Sequence, residues 1–458
     1  MILNLKKEKM KKNISYIVTM LLLISSVNIM YAQKKTLSLT DALEMAKKGN
    51  KALQVQVLEE INAKEKNREA KGALLPTISA NLGYSYYFDR QVIFMPGSFA
   101  GTNKPVQDIA VGGKNIYNGF VSLYQPIFSP AANQLTKVSK INEKIEHEKT
   151  ADLKSQVALQ VSTRYLNILM MNSPLGLLDQ SLQRNIKALQ DSRALLAQGK
   201  GLKADTLRSF IAVENLKSSI SYLKNNVEVS GIELKRLIGL NDVSELALTD
   251  DLELGIEANK SEFYQVDEAF KIAEVNRKDL NIQKLSIDLQ QKKLKATQAM
   301  LLPQLSLIGQ YQIQAQADDM KFGDYSLPRT SFLGLQLTVP IFNGYRTKSQ
   351  ISQAKIKAGQ EDIRLNDLKD KVKTELATII SKWKEANTQM DIQETTVQSA
   401  ELNHQMMEDR FKNGLGSRLE LTDAELALTQ AKINYLNAVY NLRMLHVELQ
   451  NALGLLSL

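Results

Sequence analysis

Leu74-Leu75-Pro76-Thr77-Ile78-Ser79-Ala80-Asn81-Leu82-Gly83-Tyr84-Ser85-Tyr86 and Leu301-Leu302-Pro303-Gln304-Leu305-Ser306-Leu307-Ile308-Gly309-Gln310-Tyr311-Gln312-Ile313 are two copies of one pattern. Each opens with Leu-Leu-Pro and runs on with one apolar and one polar face. In the first, Ile78, Ala80, Leu82, Tyr84, Tyr86 and Phe88 alternate with Ser79, Asn81, Gly83, Ser85 and Tyr87. In the second, Leu305, Leu307, Tyr311 and Ile313 alternate with Gln304, Ser306, Gln310 and Gln312. A period of two is the signature of a strand, since successive side chains point to opposite faces.

Working outward, the doubling continues. Pro126-Ile127-Phe128 returns as Pro340-Ile341-Phe342, Gly199-x-Gly201 as Gly414-x-Gly416, and Ile238-Gly239-Leu240 as Leu453-Gly454-Leu455. Leu-Leu-Pro is offset by 227 residues and the later landmarks by 214 or 215, so a single slip of 13 lies between the first and second landmarks. Two halves with one element order account for this, with one loop longer in the first half. The expected organisation is a signal over 1–32, repeat 1 over 33–240, a linker over 241–263 and repeat 2 over 264–458. Strands are expected at about 77–88, 117–125, 303–314 and 332–340.

The first residues read as a targeting segment. Lys6, Lys7, Lys9, Lys11 and Lys12 precede an apolar run from about Ile14 to Met30, followed by Tyr31-Ala32-Gln33. That is a cleavable secretory signal cut after Ala32, with an N-terminal anchor as the alternative. No later apolar run reaches the roughly 18 residues of a spanning helix. The chain has no cysteine, which excludes disulfides, thiolate metal sites and a cysteine-linked lipid anchor. The net charge is +9, of which the signal supplies four. So small an excess on so long a chain does not point to nucleic acid.

Proline placement separates two kinds of element. Between Ala131 and Met300 only Pro174 occurs, and none follows Pro340. Those stretches are rich in strong helix formers. Helices are expected over about Ala131 to Gln198 and Tyr345 to Lys412, each about 100 Å long at 1.5 Å per residue. Pro174 should kink or break the first. Helices of about half that length are expected over Thr40 to Gly72, Ala204 to Leu237, Gln265 to Ala299 and Arg418 to Leu453. Two short helices end to end match one long one, and the Gly-x-Gly turns reverse the chain. In the last helix Leu419, Leu426, Ile433, Tyr440 and Val447 recur every seven residues, as do Leu421, Leu428, Tyr435, Leu442 and Leu449. Two seams on opposite sides mean a helical neighbour on each side, and the seven-residue period implies a left-handed supercoil.

The strand pattern suits a transmembrane barrel, although a soluble antiparallel sheet alternates in the same way. The export signal and the absence of a second apolar layer favour the barrel. Four strands cannot close one, because single-chain barrels start at eight and open edges are not tolerated in lipid. Two chains would give eight strands and three would give twelve. The loops at about Asp89 to Asn115 and Ala315 to Arg329 should face outside the cell.

With these residues in place, the chain resembles the TolC-like outer-membrane efflux ducts over about Leu37 to Leu455. The resemblance implies a fold that is mainly α with a small β part and a two-fold internal repeat. It implies a long α-helical coiled-coil barrel plus four transmembrane β-strands per chain, closing in a homotrimer as a 12-stranded β-barrel and a 12-helix tunnel. The implied partners are a periplasmic adaptor, an inner-membrane pump and outer-membrane lipid, without nucleic acid or cofactor. Segments around Ala42 and Ala269 resemble helix starts near the family's equatorial collar. By the resemblance, Glu420 and Asp423 would ring the pore constriction, on a face continuing through Ala427, Ala431, Asn434 and Ala438. Acids at a helix start also suit the macrodipole without any pore role. Asp205 matches the acid of a gate salt bridge, but Gly416 stands where the family has the base, so Arg418, Arg208 or Lys203 would have to substitute. Gly199, Gly201, Gly414 and Gly416 resemble adaptor-docking tips.

No enzyme site is apparent. Gly199-Lys200-Gly201-Leu202-Lys203-Ala204 follows a helix where a dinucleotide loop follows a strand. His147, His404 and His446 are far apart, and Met170-Met171 and Met406-Met407 read as packing residues. The expected function is a trimeric exit duct of a tripartite efflux or type I secretion system. The alternative is a periplasmic coiled-coil scaffold or adaptor whose sheet is soluble.

Overall fold

The computed structural model describes residues 35–240, 246–252, 265–319, 321 and 326–458. The expected signal lies outside them, as does most of the expected linker. Repeat 1 runs β1 (Lys35–Leu37), α1 (Leu39–Gly49), α2 (Lys51–Gly72), β2 (Thr77–Tyr86), β3 (Gln91–Met95), β4 (Gln107–Val111), β5 (Asn115–Phe128), α3 (Pro130–Ala197) and α4 (Lys203–Ile238). β6 (Leu246–Leu248) lies in the linker. Repeat 2 runs α5 (Val266–Asn276), α6 (Lys278–Ala299), β7 (Gln304–Ala317), β8 (Arg329–Thr338), α7 (Arg346–Lys412) and α8 (Arg418–Ala452).

Two expectations need correction. Each helix expected before a strand is two helices. Asn50 and Arg277 take extended backbone, at ψ 123 and ψ 125, between α1 and α2 and between α5 and α6. Pro174 does not break α3, which is continuous over 68 residues. Ser173 Oγ donates to the Leu169 carbonyl at 2.8 Å in the same turn, adding a bond where the proline ring removes one. The longer loop of the first half has structure of its own. It holds the β3–β4 hairpin and a 3-10 turn over Gly97–Ala100, which account for the 13-residue slip.

The long sheet is antiparallel throughout, in the order β2-β5-β7-β8. Its register puts Ile78, Leu123, Gly309 and Leu333 in one row, and Ala80, Val121, Tyr311 and Ser331 in the next. Carried along the strands, this face is mostly apolar, with Ser331, Arg329 and Asn115 its polar members. The opposite face is polar: Ser79 and Ser122 share a hydrogen bond of 2.8 Å, and Gln310, Gln312 and Gln314 form a ladder up β7 at 3.0 and 3.4 Å. Neither face carries a packed layer among the described residues. Ile78, Leu82 and Leu335 are 71%, 91% and 67% exposed. A soluble sheet would have to bury such a face, because an apolar patch of this size does not stay in water.

The core lies among the helices. α3 packs against α4, α2, α6 and α8, and α7 against α6, α8 and α5. α8 therefore does lie between two neighbours, α7 and α3. Of its two seams, Leu421, Leu442 and Leu449 are buried, while Leu419 and Leu426 stay exposed toward the tip.

The two repeats share one kind of clasp, where a returning helix meets a helix joint. Asn50 caps α2, accepting from Leu53 N at 3.2 Å, and donates to the Leu237 carbonyl at 2.9 Å. Arg277, at the matching joint, donates to the Ala452 carbonyl at 3.2 Å. Both carbonyls belong to a helix end closed by a left-handed glycine, Gly239 at φ 76 and Gly454 at φ 75. A Cβ on Gly239 would lie 2.3 Å from the Gly49 carbonyl oxygen, and one on Gly454 would lie 2.7 Å from Arg277 N. The repeated Gly-Leu landmark is thus the place where the returning helix meets a helix joint.

Candidate functional site

The helical end of the molecule is formed by two hairpin tips. Each is a Schellman turn, which satisfies the last carbonyls of the incoming helix through a left-handed residue. In the first, Gly199 sits at φ 70, Gly199 N donates to the Leu196 carbonyl at 3.0 Å and Lys200 N to the Leu195 carbonyl at 2.9 Å. In the second, Gly414 sits at φ 70, and Gly414 N and Leu415 N bond Phe411 O and Arg410 O at 3.1 and 2.8 Å. Gly201 and Gly416 are tight for a different reason. A Cβ there would press on Leu195 at 3.0 Å and on Arg410 at 3.2 Å.

The tips differ at the outgoing helix. α8 starts with a capping box in which Ser417 Oγ accepts from Glu420 N at 3.2 Å and Ser417 N donates to Glu420 Oε2 at 3.0 Å. α4 has no side-chain cap. Glu420 therefore holds the start of its helix while remaining exposed, and Asp423 lies beside it, exposed as well. The open face they begin takes in Ala427 and Asn434. It does not continue as expected, because Ala431 and Ala438 are buried.

A groove of about 280 Å³ runs between the tips and brings together Asp205, Arg208, Phe411 and Arg418. Asp205 pairs with Arg208 across one helical turn at 3.8 Å. Both are exposed, so the pair adds at most about 0.5 kcal/mol. Arg418 lies over the Phe411 ring at 5.3 Å, and Lys203 makes no ion pair among the described residues. Of the three candidate bases, Arg208 is the one that meets Asp205. Glu420 and Asp423 do not line the groove.

Sequence reasoning missed one charge. Glu425 is only 9% exposed, with Arg184 Nε of α3 at 3.9 Å from its carboxylate. The signal was present: Glu425 falls between Leu421 and Leu428 in an apolar row, where a carboxylate needs a partner. Further up, Arg164 and Glu233 join α3 to α4 at 3.0 Å, and Lys432 and Glu401 join α8 to α7 at 2.8 Å. At the joint between α5 and α6 Arg277 meets Asp279 at 2.8 Å and Glu375 at 2.7 Å. Burial opposes its charge, but these carboxylates outweigh that and raise its pKa further. Asp152 nearby is held above the usual aspartate range, first by burial and then by Asp279. No group of His, Asp or Glu among the described residues could hold a metal, and no described helix is long and apolar enough to cross a membrane.

Residues 270–455 match the family described as outer membrane efflux protein. The chain is 20% identical to the outer membrane efflux protein BepC of Brucella suis over 295 residues, which cover 64% of this chain and 62% of BepC. It is 21% identical to the outer membrane protein TolC of Escherichia coli over 435 residues, covering 92% of this chain and 83% of TolC. The fold is shared with the Campylobacter jejuni CmeC outer membrane channel at a TM-score of 0.73 and 16% identity, covering 92% of this chain and 86% of that one.

Proposed function

We propose that the chain is a member of the outer membrane efflux protein family, whose model matches residues 270–455, and that it is the exit duct of a tripartite efflux or type I secretion system. It acts as a homotrimer in the outer membrane and extends into the periplasm. Three copies close a 12-stranded barrel in lipid and a 12-helix tunnel below it. An inner-membrane pump and a periplasmic adaptor deliver substrate to the tunnel, and the adaptor seats on the Gly199–Gly201 and Gly414–Gly416 tips.

One observation carries this reading. The four-stranded sheet has an uncovered apolar face and two unpaired edges, β2 and β8. Lipid satisfies the face but not the edges, whose N–H and C=O groups would each cost several kcal/mol, on the order of a lost hydrogen bond, in hydrocarbon. The order β2-β5-β7-β8 leaves β8 of one copy to pair with β2 of the next, and their directions make that pairing antiparallel. The helical layer is open in the same way. α4 leaves Ile211, Tyr222, Val229 and Ile232 exposed, and α7 leaves Ile356, Ile363 and Leu402 exposed on the other flank.

The tunnel opens like an iris. The two hairpins splay when the adaptor binds, which separates α3 from α8 near the tip and widens a constriction ringed by Glu420 and Asp423. Six carboxylates about one axis would make the duct prefer cations. The test is fractionation of the tagged mature protein followed by gel analysis without boiling. A trimer-sized band from the outer membrane is expected. A monomer released with the periplasm would overturn the duct and favour the scaffold.

A further inference from the structure

The apolar face of the sheet carries a cleft that a conduit has no need of. Its floor is Gly119 with Ala315, its walls are Leu82, Tyr117, Tyr311 and Leu327, and its volume is about 680 Å³. Gly119 makes the depression, for a Cβ there would already touch Leu82 Cδ2 at 3.0 Å. The register places Leu82, Gly119 and Ile313 in one row across β2, β5 and β7, and the fourth member of that row, on β8, is Arg329. An arginine thus ends a row that is otherwise apolar, on the same face as the cleft. It is exposed and makes no ion pair among the described residues.

Its height follows from the register. Arg329 is the first residue of β8, at the end of that strand away from the helices, and its row is the next one on this face below that of Tyr84 and Tyr117. Tyr86 packs edge-on to Phe88 at 5.5 Å, and one row lower Tyr84 stacks on Tyr117 at 5.0 Å and donates to Asn115 Oδ1 at 2.9 Å. Such amphipathic rings mark the level where hydrocarbon gives way to headgroups. A guanidinium there is tolerated, costing about 0–1 kcal/mol, whereas at the bilayer midplane it would cost about 2–4 kcal/mol.

We propose that this cleft binds one phosphate-bearing lipid of the outer leaflet, with an acyl chain between Leu82 and Tyr311 and the phosphate on Arg329. The walls are hydrocarbon and face hydrocarbon, so an acyl chain fits them. The guanidinium, carried one strand beyond Ile313 of the cleft and on the same face, presents a planar fork of donors suited to a phosphate. The site lies at the end of the sheet away from the helices, which is the outer side if the chain is a duct, and to that extent it rests on the proposed function.

The test uses the full mature chain purified in mild detergent, with hexa-acylated lipid A and the same lipid stripped of its phosphates as probes. Retained lipid is counted by native mass spectrometry. Three lipids per trimer are expected from the phosphorylated form and at least tenfold less retention of the dephosphorylated one. Arg329→Gln should give the same tenfold loss, and Gly119→Leu should fill the cleft and abolish retention of both. Equal retention of the two lipids by the wild-type trimer would overturn the proposal, and that comparison does not depend on any variant folding. Equal retention by wild type and Arg329→Gln would overturn it too. An unboiled gel on each sample separates this failure from failure of the duct itself, since the latter removes the wild-type trimer.

Discussion

Glycine is the most informative residue here, because the same letter answers two different demands. Gly239 and Gly454 combine a left-handed backbone with a neighbouring main chain where a side chain would stand. Gly239→Ala should destabilise by about 1–2 kcal/mol from the backbone alone, with more from the clash. Gly176 lies inside α3 with nothing within 4 Å of the point where a methyl would stand, and Gly176→Ala should stabilise by about 0.5–1 kcal/mol. Thermal dissociation of the two variants side by side checks the contrast. Asp152 gives a second test. Its carboxyl is raised in the folded state by burial and by Asp279. The charged form is therefore a cost at neutral pH, and that cost disappears as pH falls through the raised folded pKa toward the ordinary aspartate range. Asp152→Asn should raise the melting temperature at pH 7 and have no effect near pH 4. At this scale the sequence was partly legible. A repeated Gly-x-Gly between long helices announced reversal, whereas Gly239 and Gly454 are needed because of Gly49 and Arg277, neighbours in space that lie far away along the chain.

At the scale of elements, legibility followed periodicity. The long helices and four strands were found to within a few residues, because each carries its own period over many positions. The joints at Asn50 and Arg277 were missed, since both residue types sit comfortably inside helices and only the distant carbonyls of Leu237 and Ala452 explain the breaks. Asn50→Ala removes a cap and a buried hydrogen bond, and should cost about 1–3 kcal/mol. Chemical unfolding followed by helical circular dichroism would measure it. The Arg184–Glu425 pair belongs here as well, because it binds element to element. Splaying α3 from α8 must part it. Glu425→Gln keeps the packing and removes the charge, so single-channel recording should show a closed-state conductance raised several-fold. Unchanged leakage would mean the pair does not restrain the hairpins.

For the whole molecule, what could be read was a contradiction: four strands, an apolar face and no means of closure. That pointed to several copies, but the number three came from resemblance, because edges in one chain say that they must be paired and not how many times round the ring. The candidate constriction is of the same kind. Glu420 and Asp423 become a ring only by symmetry, and within one chain Glu420 serves its own helix start. Neutralising both, as Glu420→Gln with Asp423→Asn, should remove cation preference in planar bilayers while leaving the trimer intact on an unboiled gel. Retained selectivity would leave the two acids with no role beyond the start of their helix.

The clasp has a consequence for how such a ring would respond to salt. One mechanical part is made in two materials, an amide at Asn50 and a guanidinium held by Asp279 and Glu375 at Arg277. The amide joint is indifferent to salt, whereas the charged joint is screened as ionic strength rises. If three copies close a ring, the two kinds alternate around it, three neutral joints and three charged ones. The repeated half keeps the geometry of the joint and changes its chemistry, so one joint answers to salt and its twin does not.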